Sequence, residues 1–342
     1  MPAVAISAPV EANCQAPRWS PDGTQLLYEA NDHTKKIVDL YAYTLASRAT
    51  RRVVIPGASS SSSMTAGFST APAQRVSHEA SFAPTGNRFV YSASGLGGDY
   101  DLYLDTGARL SPMPGTDGNP AWSPDGKHIA FTSSRTGQGD LYLLDVAALE
   151  AAPLRLSGDP TASEVYAAWS PDSSALAFVG HAVKGDNLYL IDNLQFPAPR
   201  AITAWAHVQT RPTFSPDGKR IAFYSDHTAT DRFDLYVMPI GGTPTLVAAD
   251  VVMNARGPTW TPDGNSLIYV QHDPDRFDPV RQAPWAEPTR VTTLPTGTVG
   301  NGDLDVVRRA DGTVWLAVTA QGTSEGTRSQ RDFMKVYVMG LQ

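Results

Sequence analysis

Five histidines could supply metal ligands or carry protons, because they fall in loops between short apolar segments. They are His78, His181, His207, His227 and His272, and the chain has seven histidines in all. A neutral imidazole is a common ligand of transition metals and exchanges protons near neutral pH. Three such groups meeting from different loops could hold a divalent metal ion, which is the cofactor that the sequence suggests. The alternative is that these histidines are ordinary polar residues of surface loops.

A second set of polar residues lies shortly before recurring aromatic residues and could bind a ligand. Its members are His78, Glu79, Asn119, Glu164, Tyr166, His207, Gln209, Arg211, Arg256 and Asp305. A guanidinium group pairs with a carboxylate or phosphate through parallel hydrogen bonds, so Arg211 or Arg256 is expected to contact the acid of an anionic ligand. No catalytic residue is assigned, since the serine run at 59–63 has no partnered base and the chain lacks a G-x-S-x-G segment.

The elements that must position these residues form a tandem repeat. A segment reading aromatic-Ser-Pro-Asp-Gly, then three residues, then an apolar pair ending in an aromatic residue recurs along the chain. Its copies begin at Trp19, Phe82, Trp122, Trp169, Phe214, Trp260 and, in degraded form, Arg308. Proline presets the backbone at the first corner of a turn, aspartate bonds its own backbone, and glycine accepts a positive φ. Each copy therefore predicts strand, turn, strand.

Two further segments follow the repeated one at nearly constant distance. A segment like Asp-Leu-Tyr begins at Asp39, Asp101, Asp140, Asn187, Asp234 and Lys335, and one like Arg-Leu-Ser begins at Arg109, Arg155, Arg200, Thr245 and Arg290. Four short antiparallel strands in about 45 residues form the blade of a β-propeller. The sequence therefore predicts an all-β chain with one propeller domain over residues 1–342. Seven blades are favoured, and six are the alternative.

The N-terminal segment is predicted to complete the last blade. The chain ends just after the third strand of its seventh unit, and Ala5-Ile6-Ser7 resembles the Arg-Leu-Ser segment. Pairing the two ends would close the ring and leave only short, protected strand edges.

Propeller topology places the candidate residues on one face. Loops that enter the innermost strands, and loops between second and third strands, lie at one mouth of the central channel, whereas the Pro-Asp-Gly turns lie at the other. An insertion at 55–77, rich in Gly, Ser, Pro and Ala, leads into His78 on the first of these faces. Loops this long are usually functional or disordered. We expect a mobile cover over the channel, and a dispensable linker is the alternative.

These repeats resemble the TolB-type propeller repeat, which is related in form to WD repeats. The resemblance covers nearly the whole chain and rests on the aromatic-Ser-Pro-Asp-Gly, Asp-Leu-Tyr and Arg-Leu-Ser segments. The same repeat occurs in the propellers of prolyl oligopeptidases and in oligogalacturonate lyases. The lyases imply a metal held by histidines at the channel mouth, although the histidines here do not match that ligand set residue by residue. The matched residues form turns and sheets, so the resemblance implies fold more than function.

Composition narrows the partners and leaves the compartment open. The net charge of −7 argues against nucleic acid or an anionic membrane surface as the main partner. The single cysteine excludes an internal disulfide, and no stretch approaches the roughly 20 apolar residues that span a bilayer. The first residues lack the basic segment followed by an apolar one that marks a secretory signal. The compartment therefore stays open: the chain is periplasmic or extracellular if a signal has been removed, and otherwise cytoplasmic. A monomer is expected.

Two functional hypotheses follow. In the first, the chain is a recognition scaffold that binds a peptide, a protein segment or a small anionic ligand at the channel mouth, since its diverse polar residues gather on one face of a rigid frame. In the second, it is a metal-dependent lyase or hydrolase acting on an anionic saccharide or related small molecule, with the five histidines as possible ligands. Whether the chain is an enzyme is left open.

Overall fold

The computed structural model describes most of the chain. The described residues are 4–6, 12–32, 37–53, 77–94, 99–110, 114–158, 162–182, 185–228, 232–272, 279–283, 288–290, 298–322 and 334–341. The predicted insertion at 55–77 lies outside them except for Ser77, which begins a strand. Within the described residues, one 3-10 turn, Val146–Ala148, is the only helical segment. They include no helix that is long and apolar enough to cross a bilayer.

The described strands number 28. After the first they form six units of four strands and a seventh of three, which the first strand completes. Strand β1 is Val4–Ile6. The first unit contains β2 Asn13–Trp19, β3 Gln25–Asp32, β4 Ile37–Thr44 and β5 Ala49–Arg52. The second contains β6 Ser77–Phe82, β7 Phe89–Ser94, β8 Tyr100–Leu104 and β9 Arg109–Leu110. The third contains β10 Asp117–Trp122, β11 His128–Ser133, β12 Asp140–Asp145 and β13 Leu154–Arg155.

The remaining units repeat this order. The fourth contains β14 Ser163–Trp169, β15 Leu176–Ala182, β16 Gly185–Ile191 and β17 Arg200–Ala201. The fifth contains β18 Gln209–Phe214, β19 Arg220–Ser225, β20 Phe233–Pro239 and β21 Thr245–Val252. The sixth contains β22 Thr259–Trp260, β23 Leu267–Gln271, β24 Pro279–Gln282 and β25 Thr289–Arg290. The seventh contains β26 Thr298–Arg308, β27 Val314–Gly322 and β28 Met334–Leu341, with β1 as its fourth strand.

Each unit is an antiparallel sheet in which neighbouring strands of the sequence pair in order. The fifth and sixth units also join into one sheet, because Val251 and Val252 of β21 pair with Gln271 and Val270 of β23. The prediction of an all-β propeller with four-stranded blades is confirmed, and the grouping is consistent with seven blades.

The turn that recurs in each unit explains the Ser-Pro-Asp-Gly segment. In the fifth unit the Ser215 hydroxyl donates to Asp217 Oδ1 at 2.5 Å and accepts the Arg220 N–H at 3.0 Å, while the Lys219 N–H donates to Asp217 Oδ1 at 3.1 Å. Gly218 has φ +71°, which suits glycine. The matching hydroxyl–carboxylate bond recurs at Asp22, Asp125, Asp172 and Asp263.

In five units an aromatic side chain of the second strand stacks on one of the third strand. The last aromatic residue of the repeated segment lies opposite the tyrosine of the Asp-Leu-Tyr segment, with ring centroids 5.6–5.9 Å apart. The pairs are Tyr28–Tyr41, Tyr91–Tyr103, Phe131–Tyr142, Phe178–Tyr189 and Phe223–Tyr236. Cross-strand aromatic pairs stabilise sheets beyond their buried area, so these two segments of the repeat form one packing unit.

The N-terminal strand closes the ring as predicted. Ile6 pairs with Val336 and Ala5 with Tyr337 of β28. The Ile6 side chain is buried in a cluster that also holds Tyr28 of the first unit and Val338 of the seventh. The closure therefore joins the first and seventh units through side-chain packing as well as backbone pairing.

Candidate functional site

The innermost strands of the units share a bulge that shapes the centre of the molecule. In five units the pairing register between the first and second strands shifts. Each shift surrounds a non-glycine residue with positive φ, which lies three positions before the aromatic residue that begins the repeated segment. These residues are Ala16, Glu79, Asn119, Tyr166 and Arg211, with φ between 49° and 58°. The left-handed conformation costs such residues about 1–2 kcal/mol, so the surrounding contacts must hold them.

Carboxylates of neighbouring units hold three of these bulges in place. The Glu79 N–H donates to Glu29 Oε1 at 3.0 Å, and the Asn119 N–H donates to Glu79 Oε2 at 2.6 Å. At the ring closure, Asp303 Oδ2 accepts the Ala16 N–H at 3.0 Å. Burial raises the pKa of Asp303, and these bonds to backbone N–H groups oppose that shift. Each carboxylate therefore links one unit to the next.

Four of these five left-handed residues, all except Ala16, line a central cavity of about 340 Å³. Its charged and polar lining is Arg18, Glu79, Asn119, Tyr166, Arg211 and Arg256, and its aromatic lining is Trp122, Trp169 and Phe214. The lining runs along the innermost strands from the left-handed residues to the aromatic residues before the turns. It includes Pro124 of one Pro-Asp-Gly turn. The cavity thus extends from the middle of the channel toward the turn face.

Arg256 reaches across this cavity. It belongs to the sixth unit, yet its Nη1 donates to the carbonyl oxygen of Ala80 in the second unit at 3.0 Å. Its Nε is buried and has no hydrogen-bond partner among the described residues. A buried donor without a partner is costly, so this side chain retains capacity to bind an acceptor.

Arg211 packs on an aromatic ring of the neighbouring unit. Its guanidinium carbon is 3.7 Å from the centre of the Tyr166 ring, a cation–π contact. The His181 ring meets the same tyrosine edge to face at 6.3 Å, and His181 Nδ1 is 2.6 Å from Asp186. The contact with Tyr166 holds the guanidinium group against the ring within the cavity lining.

Arg18 and Asp305 lie together near the ring closure. Burial lowers the pKa of Arg18, and the nearby charges of Asp305 and Arg256 act on it in opposite directions. Burial raises the pKa of Asp305, which accepts the N–H groups of Trp19 and Val306 at 2.8 and 2.9 Å. Arg18 lines the cavity, whereas Asp305 supports the strand behind it.

Two other predicted binding residues are buried away from the cavity and have structural partners. Glu164 accepts hydrogen bonds from the Ser157 hydroxyl and, at 3.2 Å, from the Leu141 N–H. Gln209 accepts the Thr203 hydroxyl at 2.9 Å and donates to the His207 carbonyl oxygen. Five of the predicted residues do line the cavity, namely Glu79, Asn119, Tyr166, Arg211 and Arg256.

The four candidate histidines with described side chains do not meet at one point. His207 and His227 are neighbours, with ring centroids 5.2 Å apart, and Trp205 stacks on His227 at 4.4 Å. His181 contacts Tyr166, and His272 Nδ1 lies 3.7 Å from Asp250. The side chain of His78 is outside the described part of the structure. The described residues include no group of three or more histidine, cysteine or carboxylate side chains that could hold a metal ion.

Arg18 lines the cavity but is not among the residues predicted to bind a ligand, although the sequence contains a signal for it. In four units a proline follows the left-handed position and precedes the aromatic residue by two, as in Pro17, Pro120, Pro212 and Pro258. The residue between this proline and the aromatic residue lines the cavity in three of these units, as Arg18, Ala121 and Thr213. Aligning the units on proline would therefore have placed Arg18 at the cavity.

Comparisons with known proteins support the fold. The TolB beta propeller domain family matches residues 162–298. A Tol-Pal system protein TolB from Bordetella pertussis is 30% identical over 127 residues, which cover 37% of this chain and 26% of that protein. The match thus spans about a quarter of that relative.

Solved structures show the same likeness over more of the chain. TolB from Acinetobacter baumannii has a TM-score of 0.51 at 18% identity, covering 80% of this chain and 61% of that one. An oligogalacturonate lyase in complex with manganese has a TM-score of 0.62 at 13% identity, covering 100% of this chain and 97% of that one. At these identities the likeness shows the fold alone.

Proposed function

Because the chain is a TolB-like β-propeller, we propose that it is a recognition scaffold whose central cavity binds a segment of a peptide or protein. The observation that carries this proposal is the lining of the cavity. It brings together guanidinium, amide, phenol and indole groups from different units on a frame of paired strands. A concave site on which polar groups from several elements converge beside aromatic walls is typical of ligand binding.

The chemistry of the lining favours binding over proton transfer. Arginine does not lose its proton at neutral pH, so Arg18, Arg211 and Arg256 can pair with anions but cannot act as general bases. A volume of about 340 Å³ suits part of an extended chain and is far too small for a folded domain. The Bordetella relative is named as a protein of the Tol-Pal system, which is further support for a protein ligand.

The second hypothesis, a metal-dependent lyase or hydrolase acting on an anionic saccharide, draws on fold alone. The manganese-bound lyase shares the propeller at 13% identity, and the described histidines lie in separate contacts. Metal content of the protein purified without chelator tests it. At least half an equivalent of a transition metal, with a higher Tm on adding Mn²⁺, would favour the lyase over the scaffold.

An array of random hexapeptides, probed with labelled protein, tests the scaffold. Peptides that bind the wild-type protein should bind the Tyr166→Ala variant at least about tenfold more weakly, because the aromatic ring on which Arg211 packs is lost. The Arg200→Met variant is the matched control. Arg200 is an exposed arginine on an outer strand, 3.4 Å from Asp192, and its loss should leave binding unchanged. Equal binding by all three proteins would refute the proposal.

A further inference from the structure

Three arginines meet in the central cavity from three different units. Arg18 comes from the first unit, Arg211 from the fifth and Arg256 from the sixth, and all line the same 340 Å³ space. In the part of the chain that the structure describes, none of the three forms an ion pair with a carboxylate within 4.0 Å. Other arginines do pair, as Arg135 does with the buried Asp117 at 2.9 Å. The cavity therefore concentrates guanidinium charge that the protein does not neutralise by direct contact.

The charge of Arg256 also acts on the other two arginines. Burial lowers the pKa of both Arg18 and Arg211, and the positive charge of Arg256 lowers both further. Arginine stays protonated at neutral pH even so. Asp305 offsets part of the charge near Arg18, and Glu79 and Asp303 offset part of it near Arg211. Like charges in a partly desolvated site repel, and an anion placed among them removes that repulsion.

The arginines also have hydrogen-bond donors to offer. Arg256 uses Nη1 for the Ala80 carbonyl oxygen at 3.0 Å, and its buried Nε has no partner among the described residues. Arg211 packs on Tyr166, with its guanidinium carbon 3.7 Å from the ring centre. A fixed planar fork of N–H donors matches the two oxygens of a carboxylate.

The remaining lining favours a carboxylate over a phosphate. Glu79 lies in the same cavity, and its Oε2 accepts the Asn119 N–H, so its negative charge would repel a dianion more strongly than a monoanion. The walls formed by Trp122, Trp169 and Phe214 are apolar and suit the carbon skeleton that bears a carboxylate. Free phosphate has no such skeleton.

Building on the proposed function, we infer that Arg18, Arg211 and Arg256 form a subsite for one carboxylate group of the bound segment. Arg256 keeps its Nη1 bond to the Ala80 carbonyl oxygen and offers its unpartnered Nε to this carboxylate. The carboxylate is either the free C-terminus of the segment or an aspartate or glutamate side chain.

The test uses peptides selected on the array, each made in three forms. One form has a free C-terminus, one has a C-terminal amide, and one has every aspartate and glutamate replaced by its amide. The form that lacks the recognised carboxylate should bind the wild-type protein about 10- to 100-fold more weakly, because a hydrogen bond to a charged group is lost. In the Arg256→Met variant this difference between the forms should shrink to less than about threefold. The Arg256→Lys variant keeps the charge and should restore part of the difference.

The ratio between peptide forms separates recognition from a structural role. A variant that merely loosens the propeller weakens all forms equally, and Arg200→Met should leave the ratio unchanged. If Arg256→Met fails to fold, Arg211→Met serves in its place, because methionine can still pack on Tyr166. Selected peptides that bind equally well in all three forms would overturn the carboxylate subsite and leave the scaffold proposal standing.

Binding of small acids tests the carboxylate subsite without peptides. Succinate should bind the wild-type protein in a calorimetric titration, whereas succinamide should not, and Arg256→Met should abolish the difference. Succinate binding without any peptide binding on the array would support the subsite and refute the scaffold. Inorganic phosphate that binds more tightly than succinate, in an Arg256-dependent way, would overturn the assignment of a carboxylate.

Discussion

The ring-closing strand gives a quantitative test of the fold through Ile6. Its side chain is 3% exposed, whereas that of Val4, two residues earlier on β1, is 41% exposed. Replacing a buried isoleucine by alanine costs about 2–5 kcal/mol, depending on how far the neighbours close the gap. Strand β1 is a three-residue edge strand, so its surroundings can relax. We therefore expect Ile6→Ala to lower the free energy of unfolding by about 2–3 kcal/mol.

The assay is urea unfolding followed by tryptophan fluorescence, with Val4→Ala as the matched control. Because Val4 is largely exposed, its replacement should cost less than about 0.5 kcal/mol. Removing residues 1–9 should cost more than Ile6→Ala, since the backbone pairing with β28 is lost as well. Equal urea midpoints for Ile6→Ala and Val4→Ala, at equal slopes, would refute closure of the ring by this strand.

Three further predictions concern the channel, the turns and the insertion. An alanine Cβ at Gly257, where φ is +97°, would lie 2.7 Å from the Arg211 carbonyl oxygen, whereas at Gly241, where φ is +78°, it would meet no atom within 4 Å. Gly257→Ala should therefore lower the free energy of unfolding by about 1–3 kcal/mol more than Gly241→Ala in urea titrations, and equal losses would count against the tight packing of Gly257 on the bulge. Hydrogen bonds from Ser215 and Lys219 lower the pKa of Asp217, so its contribution to stability is present above about pH 4 and is lost as the pH falls through the lowered folded pKa. In the Asp217→Asn variant the urea midpoint should therefore fall less steeply than in the wild type as the pH is lowered from about 5 to 3. An equally steep fall in both proteins would contradict this. Replacing residues 58–70 by a short Gly-Ser link should leave the Tm unchanged and alter both the on- and off-rates of an array-selected peptide, whereas unaltered rates would show that the segment is only a linker.

The fold could be read from the sequence because its signals are local and repeated. The Ser-Pro-Asp-Gly segments predict the turns, and the hydrogen bonds at Ser215 and Asp217 show why those residue types recur. The alternation of apolar residues predicts the second and third strands, and Phe223 stacked on Tyr236 shows how they pack. The N-terminal strand followed from counting strands in the last unit.

The candidate site was only partly predictable because the bulges change side-chain directions. Tyr166 and Arg211 occupy left-handed positions and line the cavity. Glu164 and Gln209 lie two residues earlier and are buried with structural partners. The register shifts between Val165 and Ala168 in one strand and between Thr210 and Thr213 in the other, so only the left-handed residue of each pair lies within the bulge. Simple alternation cannot follow a side chain through a bulge. Sequence spacing alone therefore could not separate lining residues from buried ones.

The histidines show a second limit of sequence analysis. His207 and His227 come together, while His181 and His272 contact other groups. Placement on one face of a propeller still leaves residues of different units far apart around the ring. Metal binding requires ligands to meet at about 2 Å from one point, which depends on loop conformation that the repeat does not encode.

Photo-crosslinking tests most directly whether the ligand occupies the central cavity. Benzoylphenylalanine replaces Trp122, an aromatic residue of the cavity lining other than the one on which Arg211 packs, or Phe196, which is 76% exposed. Both proteins are irradiated with an array-selected peptide, and the products are mapped by mass spectrometry. Crosslinks to the peptide from position 122, with none from position 196, are the predicted result. Crosslinks from position 196 alone would contradict binding in the cavity.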